Sequence, residues 1–455
     1  MSNPVPKENI KGLECKHAVY VNSKDPMSQD DLVVVKEVIH TKDGELVPNL
    51  RFFKNYKRPF YITRELHRNH TEKKEWEKLS RLQKFECQQN QLLDRISRAL
   101  GRGKINGGLR VAGRNPYLYG ADISTPTLIK QMYRDKWPTC VSDNRVAVFD
   151  IETDVVHGTN EPIYMALTFK NKAFLAVTKF FLGSTINPVE KLHQKFEEYL
   201  GEYKEKRNIE LEVMVVNDPA TGVIEAFKRA HEWKPDFVSI WNIDFDIPRV
   251  TQTLVNAGYD PAEVFSDPSV PPEFRFFKYK QGPSKKQTAS GQVMTIHPAE
   301  RWHVAECPAT FFLIDSMCVY KRIRMAKQNE TSYALDAILN KHLKLGKLKF
   351  EEADAFTGLK WHQVMQSDYK IEYGIYNLFD CIGVELLDEK TKDLSQIIST
   401  QSKSSEYTIF NSQPRRLVDD LYFFCRDRGL VPSSCSDDMV HELDAEVVGL
   451  KNWMN

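Results

Sequence analysis

Val146-Ala147-Val148-Phe149-Asp150-Ile151-Glu152-Thr153 joins an apolar run to two carboxylates spaced two apart. The run reads as a buried strand, and alternate side chains of a strand share a face, so Asp150 and Glu152 project together. Adjacent carboxylates repel each other unless a cation sits between them. The pattern is common without metal, so what surrounds it has to decide.

Outward from this strand the chain alternates. Ile163-Tyr164-Met165-Ala166-Leu167-Thr168-Phe169 can pair beside it, and Phe237-Val238-Ser239-Ile240-Trp241 is a further strand. Helical periodicity occupies 189–206, 222–232, 247–257, 332–343 and 369–397. This is an α/β arrangement around a mixed sheet.

Two further acidic motifs fall at element edges. In Trp241-Asn242-Ile243-Asp244-Phe245-Asp246-Ile247-Pro248 a strand gives way to a helix. Pro248 is expected in the first turn, where its missing N–H costs nothing, and Gly258 at the end. Asp246 then stands at the C-terminal edge of a sheet, where α/β folds build sites, with Asp244 as the competing candidate. In Tyr376-Asn377-Leu378-Phe379-Asp380 the tyrosine and the aspartate are four apart on a helix and reach one site together.

The flanks read differently. Residues 1–60 mix strand-like runs such as Leu32-Val33-Val34-Val35 with turns such as Asp43-Gly44. Apolar spacings of three and four predict a helix over 71–100, followed by a glycine-rich loop. Residues 51–114 hold 17 Lys/Arg against 6 Asp/Glu, although the whole chain carries only +1. Such a block is either a solvated helix face or a source of phosphate contacts.

Residues 274–305 suggest a β-hairpin with a long tip. Arg275, Lys278 and Lys280 lie among Phe276, Phe277 and Tyr279 on one side, with Lys285 and Lys286 beyond the Gly282-Pro283 turn. Aromatic residues among basic ones suit a single nucleic-acid strand. Gln413-Pro414 opens an amphipathic helix with Leu417, Leu421 and Phe424 on one stripe, and the last twenty residues are acidic.

No apolar run is long enough to cross a bilayer, and no targeting signal opens the chain. The eight cysteines form no Cys-x-x-Cys pair, which argues for reduced thiols and against a zinc or redox site. A cytoplasmic protein is expected.

Glu152 and Asp246 are 94 residues apart, and Asp380 follows 134 later. In this order and spacing the three motifs resemble the exonuclease motifs of family-B DNA polymerases, in particular the N-terminal half of those from T-even-type and related large bacteriophages. Gly120-Ala121-Asp122-Ile123 through Tyr133, Ser332-Tyr333-Ala334-Leu335-Asp336 through Leu348, and 402–434 extend the likeness over most of 115–434. The palm motifs Ser-Leu-Tyr-Pro-Ser, Lys-x-x-x-Asn-Ser-x-Tyr-Gly and Asp-Thr-Asp do not occur, and Asp437-Asp438 lacks the flanks of the last.

The resemblance implies a smaller α+β N-terminal domain over 1–143 and a ribonuclease-H-like 3′–5′ exonuclease domain over 144–398. It also implies a return segment over 399–435 that packs on the N-terminal domain, and a palm start or tail over 436–455. Asp150, Glu152, Asp246 and Asp380 would hold two Mg²⁺ or Mn²⁺ ions. Tyr376 would orient the attacking water, Lys347 would stand near the scissile phosphate, and Asn242, Arg275, Lys278, Lys280, Lys285 and Lys286 would contact DNA. The implied partners are a DNA 3′ end and a palm-containing polymerase chain, in host cytoplasm if the source is viral. The alternative is a non-catalytic scaffold subunit of a split polymerase.

Overall fold

The structure is a computed structural model that describes residues 5–288, 290–346, 348–350 and 353–434. It divides into two compact units, one of residues 1–141, 287–294 and 402–455, the other of residues 142–286 and 295–401.

In the first unit β1 (Ile10–Asn22), β2 (Asp31–Thr41) and β3 (Leu46–Lys54) form an antiparallel sheet. After β4 (Arg58–Thr63) the expected helix over 71–100 is replaced by β5 (Trp76–Lys78), β6 (Leu82–Cys87) and only then α1 (Leu92–Ala99). The reason is pairing: β6 lies antiparallel to β4, with Phe60 opposite Phe85 and their rings stacked at 5.3 Å. Trp76 and Leu79, which a helix would have buried, are exposed, and Glu77 is buried between them. Cross-strand contacts override the local pattern. The basic block is therefore helical only at α1 and at α2 (Gly108–Ala112). Some of its charge is engaged internally: Arg58 is buried and donates to Gln89 Oε1 at 2.7 Å and Ala121 O at 3.0 Å. β7 (Leu118–Tyr119) joins β4, and α3 (Thr125–Lys136) covers β1 through Ile129 and Tyr133.

The second unit is a mixed α/β layer structure. Its strands are β8 (Val146–Thr153), β9 (Pro162–Phe169), β10 (Lys172–Thr178), β11 (Glu210–Val216), β12 (Phe237–Ile240), β13 (Lys278–Lys280), β16 (Val304–Glu306) and β17 (Phe312–Asp315). They run in the order β11-β10-β9-β8-β12-β17-β16-β13. β8 is antiparallel to β9 and parallel to β12, so it lies at the sheet's centre with both faces covered.

The helices of this unit are α4 (Lys179–Leu182), α5 (Pro188–Arg207), α6 (Pro219–Trp233), α7 (Ile243–Asn256), α8 (Pro261–Phe265), α9 (Ser316–Ile323), α10 (Leu335–Leu343), α11 (Leu359–Asp368), α12 (Lys370–Thr391) and α13 (Ile398–Ser402). Ala147, Phe149 and Ile151 pack with α6 and α7 on one face. Val148 packs with α5 and α12 on the other. Period two then puts Asp150 and Glu152 on the face of Val148, towards α12.

Three expectations change here. α7 starts at Ile243, not after Asp246, and Pro248 lies inside it. Asp244 and Asp246 thus fall in the first turn, where carboxylates suit the helix dipole. The single hairpin over 274–305 is really two ribbons, since β13 pairs with β16 while β14 (Lys285–Gln287) pairs with β15 (Val293–Thr295). In addition α12 ends at Thr391, where Lys392 takes a positive φ, so the 369–397 pattern is broken before α13.

Residues 402–434 complete the first unit. α14 (Gln413–Arg426) buries Tyr422 and Phe423 against Tyr61, Leu82, Tyr119 and Leu128, and β18 (Leu430–Pro432) pairs with β5. The predicted stripe Leu417, Leu421 and Phe424 faces outward, about half exposed. No helix among the described residues is long and apolar enough to cross a membrane.

α12 approaches the sheet closely because Gly374 lies over Tyr164, whose hydroxyl donates to Lys370 O at 2.8 Å. A Cβ at Gly374 would stand 2.6 and 2.8 Å from ring atoms of Tyr164. Gly374→Ala is expected to destabilise the protein by about 1–3 kcal/mol despite the better helix propensity of alanine. Urea unfolding checks this, and a stabilised variant would contradict the close approach.

Candidate metal centre

β8 presents Asp150 and Glu152, and α12 presents Asp380 to the same place. Carboxylate oxygens of all three lie within 4.8 Å of one another. Asp246, from the first turn of α7, stands beside Asp150, and its charge acts on Asp150 more strongly than that of the other two acids. Asp246 is 3% exposed; one carboxylate oxygen, Oδ1, is buried without a hydrogen-bond partner. Burial, together with these neighbours, pushes the Asp150 carboxyl well above the usual carboxylate range. Burial pushes Asp246 up to about 8, opposed by the Ile151 backbone and by Arg249.

Supports for these acids come mainly from α11 and α12. Asn377 Nδ2 donates to Asp150 Oδ2 at 2.6 Å, and the Tyr373 hydroxyl donates to Glu152 Oε2. Tyr373 is in turn 2.7 Å from His362 Nδ1. Gln366 holds the strand just beyond Glu152, donating to Thr153 O at 2.7 Å and accepting from Val155 N at 3.0 Å. Tyr376 lies parallel to Tyr373, ring centroids 6.1 Å apart, edge-on to Trp361, and hydrogen bonds Asp380. Burial and the nearby carboxylates raise its phenol well above the usual range. Asp315 caps α9 by accepting from Cys318 N at 2.8 Å and also accepts from Ile243 N at 3.2 Å, fixing where α7 begins.

Asp244 is placed elsewhere. Its carboxylate accepts from the Tyr279 hydroxyl at 2.7 Å and from Gln281 Nε2 at 2.9 Å, against the insertion. These bonds hold Asp244 below the usual range, although burial opposes them. Asp246, not Asp244, therefore joins the acids.

The basic candidates divide. Lys278, Lys280, Lys285 and Lys286 are exposed, as is Asn242 at the start of α7. Arg275 is engaged internally: it pairs with Glu263 and donates to Val270 O at 2.8 Å and Pro268 O at 2.9 Å. Lys347 lies outside the described residues.

Tyr373 and Asn377 were legible but unread. With Tyr376 and Asp380 they occupy positions i, i+3, i+4 and i+7 of one helix, which is a single face. Gln366 and His362 carried no such signal, because they come from a separate helix.

An all-carboxylate donor set with a buried orphan oxygen fits a hard divalent cation that takes oxygen ligands. Neither a protein-family model nor a curated protein sequence matches the chain.

Asp246 holds its proton up to about pH 8 when folded, against a carboxyl pKa of about 3.9 in the unfolded chain. Between these values the folded state binds more protons, so stability falls as pH rises. In EDTA the urea midpoint is expected to drop between pH 5.5 and pH 8, and Asp246→Asn should shrink that drop. An equal drop in both proteins would contradict the burial of this carboxylate.

Proposed function

We propose that the chain is a metal-dependent 3′–5′ exonuclease of the family-B DNA polymerase type, with a ribonuclease-H-like domain formed by the second unit. The observation that carries this reading is the convergence of Asp150, Glu152 and Asp380 within 4.8 Å, from two motifs 228 positions apart at Glu152 and Asp380, with Asp246 from the third motif beside them. Asp150, Glu152, Asp246 and Asp380 would hold two Mg²⁺ or Mn²⁺ ions. The chemistry such ions would supply when bound is activation of a water at neutral pH and relief of charge on the attacking and leaving oxygens.

The chain's own residues do the rest. Asn377 and Tyr373 fix the orientation of Asp150 and Glu152, so the ligand set is organised before substrate arrives. The Tyr376 hydroxyl, kept protonated by burial beside Asp380, positions the water for in-line attack on the terminal phosphodiester. Lys278, Lys280, Lys285 and Lys286 attract the phosphates of the incoming strand, while Tyr279 is occupied with Asp244. Arg275 is engaged instead with Glu263 of α8 and with the carbonyls of Pro268 and Val270. The outward stripe Leu417, Leu421 and Phe424 suits contact with a palm-bearing chain, an apolar surface of the kind that marks interfaces.

Purified protein with a 5′-labelled single-stranded oligonucleotide and Mg²⁺ should give a descending ladder, and Asp150→Ala with Glu152→Ala should abolish it while DNA binding persists. Asp246→Asn should reduce the rate at least about 100-fold and Asp244→Asn far less, a ranking that the two aspartates' different partners require. Absence of a ladder with either Mg²⁺ or Mn²⁺ would leave the scaffold reading in its place.

A further inference from the structure

The two edges of the eight-stranded sheet are built differently. β13 is three residues long and presents Lys278 and Lys280, which discourages pairing with another chain. β11, at the other edge, is seven residues long, and its register with β10 runs from Lys172 beside Glu210 to Thr178 beside Val216 without a bulge. Neither proline nor lysine interrupts it. Leu211, Val213, Met214 and Val215 are apolar yet only partly buried. The Glu210 N–H donates to Asn171 O at 2.8 Å, so Glu210, Glu212, Met214 and Val216 bond inward to β10. Leu211, Val213 and Val215 therefore turn their N–H and C=O groups to the free edge, where no strand lies among the described residues.

We propose that β11 pairs with β11 of a second copy of this chain, antiparallel about a two-fold axis at Val213. Two copies exchange edge hydrogen bonds only where positions 211, 213 and 215 face one another. A two-fold at Leu211 sets Glu210 against Glu212, and one at Glu212 sets that carboxylate against its own copy. A two-fold at Met214 sets Glu210 against Asp218, and one at Val215 sets Glu212 against Asp218. Like charges directly opposite are destabilising. At Val213 none of these meetings occurs: Glu210 faces Val216, Glu212 faces Met214, and Leu211 faces Val215. The charge pattern of the strand is thus complementary to itself in that register. The outward residues then exchange about six hydrogen bonds. Their side chains, packed on the core beside α5, form one apolar ladder across the two copies. The contact is isologous, so it closes as a dimer. One strand pair is small beside a permanent interface, which makes the association reversible.

Sedimentation velocity of the full chain from about 1 to about 100 µM tests this, since a reversible dimer of micromolar affinity responds to concentration over that range. Met214→Glu sets a carboxylate opposite Glu212 at both symmetry-related places and should weaken association about tenfold. Met214→Lys sets an ammonium there and should tighten it. A folding defect would move both variants the same way, so opposite shifts identify the register. In the wild type, hydrogen exchange of the Leu211, Val213 and Val215 amides should slow as concentration rises, while that of the Glu212 and Met214 amides stays unchanged. A chain that remains monomeric throughout, variants that shift association alike, or edge amides indifferent to concentration would each overturn the proposal. None of these readouts uses nuclease activity, so the outcome is independent of the catalytic reading.

Discussion

Repulsion among buried carboxylates is the constraint around which the second unit is organised. Two unit charges about 4 Å apart repel by about 4 kcal/mol at an effective dielectric of about 20, and Asp246, Asp380 and Glu152 all act on Asp150. Left alone, these side chains would separate or keep their protons. The fold prevents separation by placing each on a rigid element: a central strand covered on both faces, the first turn of α7, and the long helix α12. The raised affinity of Asp150 and Asp246 for protons is the other consequence. A cation with oxygen ligands relieves the same repulsion without the protons, which is why the arrangement reads as a site and not as a fault.

Holding the acids requires donors, and these come chiefly from one helix. Asn377 and Tyr373 each satisfy one carboxylate, and the close approach of α12 at Gly374 brings them within reach. Gln366 then clamps the strand immediately after Glu152 from both sides of its amide. Side chains whose orientation is fixed in this way lose little freedom when a ligand arrives, which is the basis of preorganisation. Asp315 acts at one remove, since its bond to Ile243 N sets the start of α7 and hence where Asp246 points.

Asp244 shows how a shift of two positions changes a role. Two positions from Asp246, it faces the insertion and ties Tyr279 and Gln281 to the start of α7. The insertion's aromatic and basic residues therefore serve two ends. Tyr279 anchors the ribbon, whereas the lysines on either side of it remain exposed.

Local periodicity by itself determined a good deal. Alternation along 146–153 put Asp150 and Glu152 on one face, and the apolar runs at 163–169 and 237–241 announced the neighbouring strands. The i, i+4 spacing of Tyr376 and Asp380 put them on one side of a helix, and Gln413-Pro414 marked the start of α14. Such features are written in neighbouring residues, so they survive without knowledge of the rest of the chain. Only the tertiary structure decided that 76–87 would be strands, because the pairing of Phe60 with Phe85 is a contact between distant segments. It likewise chose Asp246 over Asp244, divided the insertion into two ribbons, and turned Leu417, Leu421 and Phe424 outward while burying Tyr422 and Phe423.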